Sequence, residues 1–258
     1  MTTLHKLSVT LIVSILLFFT SCSNNDDDSN SQATEYSSIE DVLTDINFQG
    51  YAIVTKDGND LVRQGFGLAN QSTTMPQDYN LAYRIGSVTK TLTAAAIVQL
   101  KRDGLINSFN QTLNEFDPDF PNGNQITIVQ LLSHQSGIPD YQFVVEDAYE
   151  QGTSLDEEDI YEVITDMISE NGFNFEPGSS KQYSNSNFLI AALLVQELSQ
   201  MSYHEYIQEK IFTPLGMTNT YKGNTVIDAN THAQGQENNR VAGSCLTKIA
   251  FGVGDFSS

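Results

Sequence analysis

Residues 83–104 read YRIGSVTKTLTAAAIVQLKRDG, and the fold turns on how that stretch is placed. From Ser87 to Asp103 it reads as a helix apolar nearly all round, with Gly104 able to take the left-handed conformation that ends it. Such a helix belongs in an interior and has to be covered on most of its surface. Yet its first turn carries Ser87 and, three residues later, Lys90, which share one face.

A hydroxyl at a helix N-terminus sits beside free backbone N–H groups that can steady an oxyanion. A neutral amine next to it can take its proton and make it a nucleophile. Keeping a lysine neutral near pH 7 requires roughly 4 kcal/mol, and a helix dipole supplies only ~0.3–1 kcal/mol. Burial is the one effect large enough. If Lys90 instead keeps its charge, it can stabilise a nearby tyrosinate that acts as the base. By composition a Ser-x-x-Lys arises about once in a chain of this length. The plain alternative is a capping serine followed by a lysine whose stem lies over apolar surface.

Downstream, EPGSSKQYSNSNFLIAALLVQELS (176–199) sets Tyr183 and Asn185 at the mouth of a second buried helix. A phenol held against an ammonium ionises more easily and can serve as general acid and base. An asparagine amide can bond both the lysine and a substrate carbonyl. Taken alone, Tyr-x-Asn reads equally well as a structural tyrosine with a helix-capping asparagine.

Four blocks in order, YRIGSVTKTLTAAAI, LLSHQSGIPDY, EPGSSKQYSNSNF and IFTPLGMTNTY, resemble the serine beta-lactamase-related family over about residues 39–258. That family includes class C beta-lactamases, D-Ala-D-Ala carboxypeptidases and related esterases. The resemblance implies Ser87 as the acylated nucleophile, Lys90 as its activator, Tyr183 as the proton shuttle and Asn185 as a polar contact to Lys90 and substrate. It implies an α/β domain with an antiparallel sheet flanked by helices, beside an all-helical domain, with the active site between them. Acyl-enzyme chemistry on a small peptide amide, a β-lactam or an ester follows, with no cofactor. His134 invites a Ser–His pairing with Ser87, but the Lys and Tyr already fill the base role. It is read as a structural histidine at a helix end. His204 and His232 lack metal-like spacing with acids or cysteines, and no metal site is expected.

Around this centre, IEDVLTDINF (39–48) puts Ile39, Val42, Leu43 and Ile46 at helical spacing. YAIVT and LVRQGFGLA flank KDGND as a hairpin over 50–70, with Asp57-Gly58 at the turn. Thr127 opens a short helix that Gly137 closes. Over 155–169, Ile160, Val163, Ile164, Met167 and Ile168 form one apolar stripe, with acids in the first turn. Residues 188–200 read as a buried helix, and Ser202 with Glu205 cap another over 202–212. The expected plan is an N-terminal part of the α/β domain over 39–86, the active-site helix and helical domain over 87–240, and the start of a return to the α/β domain over 241–258.

The formal charge is −20 with the acids spread along the chain, which disfavours nucleic acid or an anionic membrane surface as a charge-driven partner. At the N-terminus, His5 and Lys6 precede the apolar run LSVTLIVSILLFF (7–19), too short for the roughly 20 residues a spanning helix needs. Thr20 and Ser21 then precede Cys22, and the arrangement resembles a bacterial lipoprotein signal over 1–21. Lipid would attach to Cys22. Ser23, rather than an Asp, points to the outer membrane, facing the periplasm or cell surface; plain secretion is the alternative. Residues 22–38, rich in Ser, Asn and Asp, read as a flexible tether. Cys245 then has no disulfide partner and reads as a small core residue.

One departure matters. The family carries a Lys-Thr-Gly or His-x-Gly strand beyond its Tyr-x-Asn, whose backbone N–H completes the oxyanion hole. The sequence closes at GVGDFSS, which resembles the block before the family's next helix. Losing one such donor costs about 10²–10³ in turnover. The expectation is a C-terminally truncated serine hydrolase, with a non-catalytic, lipid-anchored binding protein of the same ancestry as the alternative.

Overall fold

The structure is a computed structural model and describes residues 35–222 and 231–234, with the backbone pairing of 236–237, 240–241 and 256–257. The expected signal segment, Cys22 and Cys245 lie outside the described residues. Residues Ile39–Ser258 form one compact unit.

A short helix α1 (Ile39–Asp45) leads into a hairpin of β1 (Gly50–Lys56) and β2 (Asn59–Phe66). Lys56 pairs with Asn59, which leaves the two-residue loop Asp57-Gly58. Both loop residues have positive φ, 51° and 79°, the turn whose twist matches that of paired strands. The second strand is shorter than the sequence suggests. Gly67, at φ 72°, turns the chain, and β3 (Leu68–Asn70) pairs instead with β4 (Met75–Pro76). A Cβ on Gly65 would lie 2.0 Å from the Gln77 carbonyl oxygen, so only glycine allows this approach of the two hairpins.

The helical part follows: α2 (Thr89–Arg102), α3 (Ile128–Leu132), α4 (Gln142–Glu150), α5 (Glu157–Asn171), α6 (Ser186–Ser199) and α7 (Tyr203–Ile207). A π-helical turn over Gln208–Phe212 and the short α8 (Thr213–Leu215) continue α7. Two-residue strands β5 (Tyr221–Lys222) and β8 (Phe256–Ser257) pair antiparallel, as do β6 (Gln236–Glu237) and β7 (Arg240–Val241). Capping follows the sequence closely. Thr127 with Gln130, Asp156 with Asp159, and Ser202 with Glu205 form reciprocal capping boxes at α3, α5 and α7.

Two expectations are corrected. Helix α2 is not buried all round: Thr89, Lys90, Thr93, Ala96, Ile97 and Leu100 form a buried stripe, while Thr91, Ala95 and Val98 are exposed. Helix α3 ends at Leu132, well before Gly137, because His134 takes φ 60°. Helix α4 was not legible. Its apolar residues Phe143 and Val144 point outward and only Val145 is buried, so no clean stripe marks it.

The core joins Ile97 and Leu100 of α2 to Leu189 and Val195 of α6 and to Ile160, Ile164 and Ile168 of α5. The three isoleucines are almost wholly buried and contribute roughly 1.5–3 kcal/mol each. Tyr203 crosses this core and shares a 2.7 Å hydrogen bond between its hydroxyl and Thr93 Oγ1, which satisfies both buried groups.

Candidate active site

Ser87 sits in a single 3-10 turn, Gly86–Val88, that runs directly into α2. Gly86 has φ 49°, and the tight turn carries Ser87 at the surface while Lys90, one turn on, is buried at 7% exposure. The Lys90 ammonium donates to Ser87 Oγ at 3.2 Å. The helix start thus presents a solvent-facing hydroxyl backed by a buried charge.

Tyr183 and Asn185 lie where the chain enters α6. The Ser87 Oγ and Tyr183 hydroxyl are 2.8 Å apart, and the Lys90 Nζ stands 4.9 Å from the Tyr183 ring centroid. Asn185 is the N-cap residue of α6, yet its side chain makes no capping bond. Its Oδ1 accepts from Lys90 Nζ at 2.8 Å instead. The four residues singled out from the sequence, Ser87, Lys90, Tyr183 and Asn185, are therefore brought into one connected cluster.

Two further residues complete it. Asn185 Nδ2 donates to both Asp140 carboxylate oxygens, at 3.3 and 3.1 Å, and to Gln142 Oε1 at 2.9 Å. With acceptors on that side and an ammonium on the other, the orientation of the Asn185 amide is determined. Sequence reasoning missed both residues. Asp140 lay inside a recognised block, but nothing in the order of residues pairs it with a position 45 places away.

His134 does not bond Ser87. Its ring stacks on Tyr183 with centroids 4.6 Å apart, and its Nδ1 accepts from the Ser184 backbone N–H at 3.3 Å. Burial, followed by the positive charges of Lys90 and Lys181, holds its pKa below the usual imidazole value. A neutral His134 backing the Tyr183 ring is a positioning group. His204 packs edge-on against Tyr203, and His232 Nε2 lies 2.8 Å from the Tyr221 hydroxyl. Among the described residues no group of three or more His, Cys, Asp or Glu is arranged to hold a metal.

Fold and cluster together define a serine-centred polar site carried at the heads of two packed helices. The family model Beta-lactamase matches residues 39–244, and the chain belongs to that family. Penicillin-binding protein 4* of Bacillus subtilis (strain 168) is 30% identical over 178 residues, covering 67% of this chain and 38% of that relative. The chain thus spans well under half the length of this relative. A D-amino acid amidase from Ochrobactrum anthropi SV3 superposes with a TM-score of 0.61 at 26% identity, over 74% of this chain and 55% of the amidase. FmtA from Staphylococcus aureus shares the fold, with a TM-score of 0.70 at 21% identity over 85% of this chain and 59% of FmtA.

Proposed function

We propose that this chain carries the acylation machinery of a serine hydrolase acting on an amide, β-lactam or ester carbonyl. The observation that carries the reading is the unbroken line Tyr183–Ser87–Lys90–Asn185. Lys90 donates to Ser87 Oγ, which leaves the serine's own proton directed at the Tyr183 oxygen. As Oγ bonds to the carbonyl carbon, that proton passes to Tyr183, and the phenol proton passes on to the leaving amine or alcohol as its bond to carbon breaks. Water then cleaves the acyl-serine by the reverse relay. The Lys90 charge, beside Oγ and over the phenol ring, stabilises the negative charge that builds on these oxygens. The Ser87 backbone N–H has no acceptor among the described residues and can donate to the developing oxyanion. The names of the penicillin-binding relative and of the amidase support a peptide-like or β-lactam amide as the substrate class.

A separate proposal concerns location: the resemblance of residues 1–21 to a bacterial lipoprotein signal supports anchoring at the outer membrane through Cys22, which incorporation of an alkynyl fatty acid, lost in Cys22→Ala, would report. The enzymatic reading is tested by intact mass after treating the full chain with a fluorophosphonate. One adduct on Ser87, absent in Ser87→Ala, is expected. No adduct on folded protein would leave a binding protein built on the same cluster.

A further inference from the structure

The segment around residues 113–120 and helices α5 and α6 line an open cavity of about 560 Å³. None of Ser87, Lys90, Tyr183 or Asn185 lines it. Its size falls in the range of roughly 300–1,000 Å³ typical of small-molecule sites. Phe116, Phe120 and Leu193 make apolar walls, and the rings of Phe120 and Tyr161 stand 6.1 Å apart at 59°. No lining residue is Lys, Arg or His, whereas Asp117 and Glu197 each bring a carboxylate.

The polar groups are arranged rather than scattered. Tyr161, on α5, donates a short hydrogen bond to Asp117 Oδ2. Burial, and then that contact, push the phenol's ionisation upward, so it keeps its proton and acts as donor. The second Asp117 oxygen has no donor among the described residues. Glu197 stands on the exposed side of α6 at the rim. An anion would meet two carboxylates with no counter-charge. A neutral hydroxyl can donate to the open acceptor but leaves both negative charges without a counter-charge. An ammonium with N–H groups donates to that acceptor and offsets the charge, and aromatic walls attract a cation further.

We propose that this cavity binds a small organic monocation, an ammonium carrying an aromatic or short alkyl group. The apolar group lies against Phe116, Phe120 and Leu193, and the ammonium faces Asp117 and Glu197.

The test is calorimetric titration of the full chain with 4-phenylbutylammonium, set beside 4-phenylbutanol and 4-phenylbutyrate. The cation is expected to bind about tenfold more tightly than the alcohol, with the carboxylate weaker still. Glu197→Gln and Asp117→Asn should each weaken the cation several-fold, and Leu193→Trp should block it by filling the space. Glu209→Gln, outside the cavity, controls for general attraction to an acidic chain and should change nothing. Glu197 is exposed, so its variant keeps the test sound should Asp117→Asn fold poorly. Equal affinity for alcohol and cation overturns the proposal, as does a cation affinity indifferent to Glu197→Gln or the absence of binding.

Discussion

Lys90 Nζ and Asn185 Oδ1 meet at 2.8 Å across 95 positions of sequence, one at the head of α2 and the other at the head of α6. The contact is possible because the apolar faces of those helices pack together below it, with Ile97 and Leu100 against the α6 core. It also gives a buried charge a partner, without which burial would be costly.

The Asp140 carboxylate fixes which way the Asn185 amide points, and through it where Lys90 sits. Asp140→Ala removes a hydrogen bond to a charged group, worth about 1.5–3 kcal/mol. Labelling of Ser87 by a fluorophosphonate should slow by about tenfold or more, while Asp140→Asn, which keeps an acceptor, should lose less. An unchanged rate in Asp140→Ala would show that Gln142 alone holds the amide.

Tyr183→Phe keeps the ring that stacks on His134 and removes only the hydroxyl beside Ser87. The melting temperature should hardly move, since the ring is half exposed. Acylation should fall by about 10²–10⁴, the range for a general acid–base group. Stopped-flow hydrolysis of an activated ester, followed beside thermal melts, separates the two readouts.

Gly137 and Gly104 share a left-handed backbone, with φ 77° and 79°, but not their surroundings. A Cβ at Gly137 would lie 2.1 Å from the Phe175 carbonyl oxygen, whereas one at Gly104 meets nothing within 4 Å. Gly104→Ala should therefore cost only the conformational penalty of about 1–2 kcal/mol. Gly137→Ala should cost clearly more, because backbone has to move. Denaturant melts of the two variants decide it, and equal losses would contradict the clash.

His134 makes stability depend on pH in a definite direction. Its pKa in the folded chain lies below the ordinary value of 6.5, so the folded state resists the proton that the unfolded chain accepts. Its contribution is fully present above about pH 6.5 and is lost as pH falls through the folded value. Stability should decline with acidification below that point, and His134→Gln should flatten this part of the profile. A profile unchanged by the substitution would mean that other groups carry the slope.

Four residues of the candidate cluster were nominated through four ordered blocks that resemble a known family, because Ser-x-x-Lys and Tyr-x-Asn are each too short to be specific alone. Both motifs are local, one needing a single helical turn and the other only the entry to a helix, so the structure had only to bring two short segments together. The hairpin turn was legible locally, since Asp57-Gly58 encodes positive φ at both positions. What failed was whatever depended on distant partners. Asp140 and Gln142 become part of the site only through Asn185, and the buried face of α2 is set by α6 and α7 rather than by its own alternation. The end of α3 was misplaced because His134 adopts a backbone conformation usually left to glycine, held there while its ring packs on Tyr183 and Phe188.

The two helices that carry the polar cluster are also the two that anchor the apolar core. Order in the interior and alignment at the surface are consequently a single mechanical property, and a void opened beside Leu189 would be felt at Asn185 as misregistration. Positions with no chemistry of their own therefore fall under the same selective pressure as the reactive ones. A library screened only for reaction at Ser87 would return, alongside the polar residues, a map of how α2 and α6 are packed.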